Sequence, residues 1–384
     1  MTDHVDIAVV GGGPVGAALA AALAGSDHRV AVLEARDVLA AQDPRAIALS
    51  QGARLILERL GAWPALADQT TAIETIHVSQ RGGFGRAELL ASEMGVPALG
   101  HVTQYGDLYA ALATQLQQSG ATVLTGAQVT AIRSTSGYGA VEFRRGGGER
   151  LLTADLVVLA DGGKSLPGPQ QVKDYGQTAI LCTVTTARPH AGRAYERFTP
   201  EGPMALLPLN EAYALVWTVP NAQAEAVLAL DDAAFLARLY ERFGDRQGRF
   251  LTASKRAAFP LRMITSEPVQ GPRILRIGNA AQTLHPVAGQ GFNLGLRDAW
   301  QLGQLVWDSE KSELGGAAFC ARYQARRGPD VRGGMRMTDL MVELFSNDHF
   351  VLRHGRGLGL ALMDALPPLK KIFARKMMFG AQAW

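Results

Sequence analysis

An α/β fold is predicted by three stretches of the sequence, each a short apolar run that ends in glycine. Asp6 to Val10 (DIAVV) runs into Gly11-Gly12-Gly13-Pro14-Val15-Gly16. Ala154 to Ala160 (ADLVVLA) ends in Asp161-Gly162, and Arg273 to Ile277 leads into Gly278-Asn279 and a glycine-rich segment. Short runs of this kind, rich in β-branched residues, are the buried strands of a parallel sheet covered by helices.

The first run opens a βαβ unit. After Gly16 the sequence AALAAALAG is strongly helix-forming and stops at Gly25, a C-cap signal. A second strand, Arg29 to Leu33, ends at Glu34. Gly11, Gly13 and Gly16 stand in G-x-G-x-x-G register. In that register the first glycine allows a tight turn, the second lets the backbone approach a pyrophosphate, and the third lets helix and strand pack closely. The helix N-terminus then offers unpaired N–H groups and a positive dipole end to the phosphates. Glu34, closing the second strand, is placed to accept bonds from ribose hydroxyls. A dinucleotide is therefore expected in a Rossmann-like unit, which by itself does not separate FAD from NAD.

The middle of the chain changes character. Tyr175–Thr186, Arg193–Phe198, Gly202–Leu209 and Tyr213–Val219 are strand-like runs divided by turns, followed by a helix over Ala233–Phe243 and a return strand over Ala257–Leu261. An antiparallel sheet is expected, joined by His77–Gln80. Tyr195, Phe198, Met204, Tyr213 and Trp217 read as its core rather than as catalytic groups. A further helix is expected from near Asn293. From about Gly328 the chain reads as helical and apolar, and GRGLGLAL, with no strand before it, reads as close helix packing rather than a phosphate loop. The expected organisation is a discontinuous nucleotide-binding domain (1–72, 101–173 and 270–330), a β-sheet substrate domain (73–100 and 174–269), and a C-terminal helical segment (331–384).

Composition narrows the function. Apolar residues make up 47% and charged residues 19% of the 384, a globular balance. Two cysteines, Cys182 and Cys320, exclude a disulfide scaffold and a thiolate metal site, and no metal is expected. A net charge of +3 does not suggest a nucleic-acid partner. Between Val351 and Trp384, however, Arg353, Arg356, Lys370, Lys371, Arg375 and Lys376 face the single acid Asp364. This tail fits either an amphipathic helix packed on the body or one lying on an anionic leaflet, with Leu369, Ile372, Phe373, Met377 and Met378 inserted. No secretory signal and no spanning helix are expected, which gives a cytoplasmic location with peripheral attachment to the inner face of a membrane as an option.

The three glycine-bearing elements, in this order and spacing, resemble the single-component FAD-dependent aromatic hydroxylases of the para-hydroxybenzoate hydroxylase type. GNAAQTLHPVAGQGFNLGLRDA (278–299) and DPRAIALSQGARLILERLG (43–61) are more specific, and resemble the ubiquinone-biosynthesis monooxygenases, closest to 2-polyprenyl-6-methoxyphenol hydroxylase. The resemblance spans about three-quarters of the chain, Asp6 to Asp298. It implies that FAD is held by Gly11, Gly13, Pro14, Val15, Gly16, Glu34, Ala35, Arg45, Gln104, Val129, Asp161, Gly162, Gly278, Asn279, Gly289, Gly291, Phe292 and Asn293. Arg45, which the sequence places ahead of a helix, would reach the pyrophosphate or ribityl side. His285, Pro286, Gly289, Gln290 and Gly291 would pass close to the isoalloxazine, and His285 is the candidate proton acceptor. Asn279 stands where the wider family carries Asp, so it adds no negative charge beside the phosphates.

The implied reaction is reduction of FAD by NADPH or NADH, addition of molecular oxygen to give a flavin hydroperoxide, and transfer of one oxygen to an electron-rich phenol. The implied substrate is a polyprenylphenol, and other ubiquinone-biosynthesis proteins are potential partners. A hydroxylase of a small soluble aromatic, and an FAD-binding subunit that does not turn over, are the alternatives.

Overall fold

The computed structural model describes residues 3–40, 43–267, 271–284, 289–345 and 350–381. Its first strand, Asp3–Val10, lies between Val30–Leu33 and Gly148–Leu159 and is parallel to both, with Ile7 beside Val30 and Leu156. Thr122–Leu124 and Ile274–Arg276 extend the parallel part. Gln128–Ser134 and Gly139–Arg145 complete the seven strands as an antiparallel hairpin extension. Ile7, Ala8 and Val9 are 0% exposed. The run is continuously apolar because helices cover one side, Pro14–Ala22 packing on both Tyr105–Gln118 and Gln290–Trp307. The expected βαβ unit is present, its helix beginning at Pro14.

Nine strands form a second sheet, in the order Gln282–Thr283, Ala257–Ser266, Gln170–Thr186, Ala212–Pro220, Gly202–Leu209, Arg193–Thr199, Thr75–Gln80, Arg86–Leu90, with Phe250–Ala253 also paired to Gln170–Thr186. It is antiparallel as expected except where Arg193–Thr199 runs parallel to Thr75–Gln80. Strand periodicity of two sorts its side chains onto opposite faces. Met204, Leu206, Tyr213, Leu215 and Trp217 pack beneath Phe235, Leu239 and Phe243 of the helix Asp232–Phe243. The alternate residues Ala205, Leu207, Ala214 and Val216 face a cavity. Tyr195, Phe198, Met204, Tyr213 and Trp217 are all buried, as the sequence predicts.

Two local readings need correction. DPRAIAL leads into a strand, Ala46–Ser50, and the helix starts only at Gln51, where the Ser50 hydroxyl caps it by accepting from Ala53 N–H. The later helix begins at Gln290, three residues before Asn293. A small sheet of Ala46–Ser50, Gly100–Gln104 and Thr71–Ile73 is interleaved in sequence with strands of both large ones.

The chain closes with helices Ala317–Phe345, Phe350–Ala365 and Pro367–Phe379. Gly357 in GRGLGLAL meets the turn before Arg86–Leu90, where an added Cβ would stand 2.5 Å from the Phe84 carbonyl oxygen. That is the close packing expected of it. The last helix is amphipathic, and its inner face is the correction: Ala374 and Met378 are buried in a cluster with Leu89, Ala91 and Leu99, and Phe373 packs against that cluster. Only Leu369 and Ile372 of the five tail residues remain exposed, at 48% and 50%. Lys370 is also withdrawn from any surface role, since its ammonium is buried against Glu93 (3.1 Å) and Asp364 (3.5 Å).

Candidate active site

A cavity of about 1350 Å³ begins at the glycine turn, passes the start of helix Gln290–Trp307 and ends between the nine-stranded sheet and the C-terminal helices. Single-ligand pockets run to roughly 300–1,000 Å³, so this one has room for a dinucleotide and a second molecule.

Its first end is built by the glycine register. Gly11 holds φ +106°, and an added Cβ would sit 2.8 Å from Asp161 backbone atoms. A Cβ on Gly16 would fall 1.9 Å from the Gly11 carbonyl oxygen, so strand and helix approach as closely as a bare backbone allows. Gly13 is different: its added Cβ meets no atom within 4 Å, because the space beside it is the cavity. No side chain caps the helix that follows, which leaves its first N–H groups to a ligand. Glu34 Oε2 accepts the Gly12 N–H at 2.8 Å, and Oε1 accepts Arg36 Nε at 2.7 Å. Burial alone would raise this carboxyl, but the bonds from Arg36 and Gly12 hold it below the usual carboxylate range, so it is ionised at neutral pH.

Pro14, Val15, Ala35, Val129, Gly162 and Gly278 line the same cavity, as do Arg45, Asp161, Asn279, Gly289, Gln290, Gly291, Phe292 and Asn293. Several do so with their side chains already engaged. Asp161 accepts the N–H groups of Gly163 (3.0 Å) and Ser165 (2.7 Å) and so shapes its own turn. Asn293 is stitched to Ser50 N–H (2.9 Å) and to the carbonyls of Ala48 (3.0 Å) and Gly289 (2.8 Å). It therefore positions Gly289 rather than offering its amide. Gln290 donates to the Met377 carbonyl at 3.2 Å, joining this helix to the last one. The Arg45 guanidinium lies between the rings of Tyr105 (5.4 Å) and Phe259 (5.3 Å) and bonds Asp43. Gly289 is the N-cap of helix Gln290–Trp307, which again has no side-chain cap.

Gln104 is not brought into the cavity; it ends the strand Gly100–Gln104, pairs with Ala46, and its neighbour Tyr105 takes the wall position. His285 and Pro286 lie outside the described residues. Arg36, Lys164, Ser165 and Lys255 also line the cavity and were not expected. A basic residue two positions after the strand-ending acid was the available signal for Arg36.

These features fit an FAD. Two uncapped helix N-termini open onto one cavity, one beside the glycine turn for a pyrophosphate and one farther along for the electron-rich edge of a flavin ring. The Glu34 carboxylate and the Arg45 cation line the same cavity. Residues 4–336 match the family model described as FAD binding domain. The chain is 34% identical to the ubiquinone hydroxylase UbiL of Rhodospirillum rubrum, over 97% of its own length and 89% of that protein. The chain belongs to the FAD-dependent aromatic hydroxylases. It is also 31% identical to the 3-demethoxyubiquinol 3-hydroxylase of Escherichia coli, covering 95% of this chain and 96% of that one. The p-nitrophenol 4-monooxygenase PnpA of Pseudomonas putida shares the fold, with a TM-score of 0.80 and 16% identity over 99% of this chain and 100% of that one.

In this hydroxylase the far half of the cavity is apolar. The sheet supplies Ile76, Val78, Ala87 and Leu89, and the C-terminal helices supply Met337, Met341, Leu360, Met363 and Met377. Cys182 lines it too, but burial pushes its thiol up to about 12, so it is no nucleophile at neutral pH.

The glycine geometry gives a paired prediction. Gly13→Val should leave the melting temperature within about 2 °C of wild type stripped of its FAD, since bound ligand itself stabilises the native state, but abolish the visible flavin absorbance of the purified protein. Gly16→Val should lose both, since its side chain collides with backbone rather than with an open cradle.

Proposed function

We propose that this hydroxylase acts on the ring of a polyprenylated phenol in ubiquinone biosynthesis, using NAD(P)H and molecular oxygen, and that it draws this substrate from a membrane surface. The observation behind the reading is the continuity of one cavity from the dinucleotide cradle into an apolar chamber walled by methionine and leucine. Methionine side chains adapt to a flexible, irregular chain better than branched ones do. A small soluble aromatic would leave this chamber unfilled.

Bound FAD would supply two-electron exchange with NAD(P)H and activation of oxygen for insertion into the ring. The protein holds the parts in place. Glu34 and the backbone N–H groups following Gly13 would anchor the adenosine and pyrophosphate. Arg45, with Asn279, would line the ribityl side, and the start of helix Gln290–Trp307 would face the negative charge that reduction leaves on the ring. Phe292 and the sheet wall keep water from the reacting ring carbon. One oxygen atom of O2 enters the ring, the other leaves as water, and NAD(P)H provides the electron pair.

The membrane part rests on the surface of the C-terminal helices. Leu358, Leu362, Leu366, Leu369 and Ile372 are 47–55% exposed and follow one another along the last two helices, with Lys371, Arg375 and Lys376 exposed beside them. No helix among the described residues is long and apolar enough to cross a membrane. An interfacial docking surface needs only this apolar row and a cationic border. The other faces of the same helices line the chamber, so a prenyl tail would pass from leaflet to cavity over a short path.

Two measurements test the reading. NAD(P)H consumption should be stimulated by 2-farnesylphenol, with a KM at least about 100-fold below that for phenol, the equivalent of burying about four methylenes at ~0.8 kcal/mol each. Equal KM values would contradict the apolar-chamber assignment. The triple variant Leu362→Ser, Leu369→Ser, Ile372→Ser should lose sedimentation with phosphatidylglycerol vesicles and keep its FAD, and unchanged sedimentation would refute the docking surface.

A further inference from the structure

The sheet wall of the cavity carries one carboxylic acid. Glu196 lies in the middle of Arg193–Thr199, in register with Val78 on one neighbouring strand and Ala205 on the other. All three line the cavity, together with Ala194 and Phe198 of the same strand. Among the described residues Glu196 has no hydrogen-bond or ion-pair partner, although a carboxyl held among apolar groups is costly unless something satisfies it.

No other charged side chain of its own strand or of the strands Thr75–Gln80, Arg86–Leu90 and Gly202–Leu209 lines the cavity; the sheet's further charged group there is Lys255, which follows the strand Phe250–Ala253. Arg193 and Arg197, its alternating neighbours, project to the opposite side, where Arg193 meets Glu88 (2.9 Å) and Arg197 meets Ser79 (3.4 Å). His77 is on that opposite side as well, beside Arg246. The neighbouring strands Thr75–Gln80, Arg86–Leu90 and Gly202–Leu209 present Ile76, Val78, Ala87, Leu89, Ala205 and Leu207 to the cavity. The helices across it, Ala317–Phe345 and Phe350–Ala365, present methionine and leucine. Their acids are turned elsewhere, Asp330 to Arg297 and Arg327, Asp339 to Lys173 and Tyr175, Glu343 to Lys173, and Asp364 to Glu88 N–H and Lys370.

A prenylated phenol entering this space would place its tail among the leucines and methionines, and its ring toward the start of helix Gln290–Trp307. Its hydroxyl would then be a polar group in an apolar enclosure, in need of a partner. Resting on the phenolic substrate proposed above, we propose that Glu196 receives that ring hydroxyl, accepting its hydrogen bond and then its proton as the ring is attacked. The O–H bond of the phenol breaks, the proton passes to a Glu196 carboxylate oxygen, and the electron pair stays on the phenolate oxygen, where it enriches the ring. One oxygen atom derived from O2 forms the new C–O bond, with the electron pair from NAD(P)H reducing the other oxygen to water. The ring carbon then loses its hydrogen as a proton, which is taken up in the water formed from the second oxygen atom, and Glu196 returns its own to the phenolate.

Burial pushes the Glu196 carboxyl up to about 8, which suits a base that must both hold and release a proton near neutrality. The acceptor is the ionised form, so turnover should rise with pH through that value.

The test uses the FAD-loaded protein with 2-farnesylphenol, NAD(P)H and oxygen between about pH 6 and 9.5. In wild type kcat should rise with an apparent pKa near 8. Glu196→Gln should lower kcat about 100-fold and flatten the rise, with KM changed less than about threefold and the flavin spectrum unaltered. Glu196→Asp should recover the pH-dependent rise. A second readout needs no turnover: the ultraviolet difference spectrum of 2-farnesylphenol bound to the oxidised protein at pH 9 should show the phenolate band in wild type and lose it in Glu196→Gln. If Glu196→Gln does not fold, the wild-type profile and spectrum decide, and a flat profile without a phenolate band overturns the proposal. An active wild type with an unaffected Glu196→Gln overturns the role of Glu196 alone. An FAD-loaded wild type that leaves farnesylphenol unaltered overturns the substrate reading and this inference with it.

Discussion

A buried ionic network around Asp298 and Arg327 holds the two halves of the cavity in one frame. Asp298, 2% exposed, accepts Gly278 N–H (2.9 Å) and Gln282 Nε2 (2.7 Å) at one oxygen and Arg327 at the other (2.6 Å). Arg327 also reaches Asp330 at 2.8 Å. Asp330 in turn takes Arg297 at 2.7 Å and the backbone N–H of Ala381 at 2.9 Å. Burial opposes the charge of Arg327, but Asp298 and Asp330 raise its pKa and keep it a cation. Removing one partner of such a cluster costs about 3–5 kcal/mol, because it strands the remaining charge away from water. The network pins the turn after Ile274–Arg276, the helix Gln290–Trp307, the helix Ala317–Phe345 and the end of the chain. The cofactor side and the apolar chamber are therefore not free to drift apart.

Within that frame the cavity divides by chemistry. Its cradle end has helix N-termini, Glu34 and Arg45, all suited to phosphates and ribose. Its far end has nearly nothing polar, which suits a hydrocarbon tail. The reacting ring would sit at the junction, where the oxygen chemistry is the cofactor's and the protein's part is orientation, dryness and a proton. Glu196 stands in the sheet wall of this cavity. An ordinary surface carboxylate would be ionised throughout the neutral range and would gain little from a phenol. One held up by burial can exchange a proton with it.

Much of this was legible in the sequence because the signals are local. The strand, glycine turn, helix and terminal acid from Asp6 to Glu34 impose one geometry on a short segment, and Gly11 makes the tight turn and Gly16 the close helix–strand approach that this register implies. The segment from Gly278 was specific enough to resemble a branch of one family. What the sequence concealed depends on which way a side chain faces in three dimensions. Phe373, Met377 and Met378 lie on an amphipathic helix, and periodicity cannot say whether its apolar face meets protein or lipid; most of it meets protein. Asn293 and Gln290 sit in a motif expected to touch the flavin, yet their amides are occupied by Ser50, Ala48, Gly289 and Met377. Gln104 was placed by resemblance alone, and the strand pairing with Ala46 gives its wall position to Tyr105. Glu196 alternates with Tyr195 and Arg197 like any polar residue in a strand. Only the sheet register shows that its side is the enclosed one.

Oxygen-isotope labelling tests the central claim most directly. The purified FAD-loaded protein would be given 2-farnesylphenol and NAD(P)H under 18O2, and the product analysed by mass spectrometry. The account predicts a ring-hydroxylated product that carries one labelled oxygen, formed in proportion to the NAD(P)H consumed. NAD(P)H consumption that yields only hydrogen peroxide, with the phenol recovered unlabelled, would contradict it.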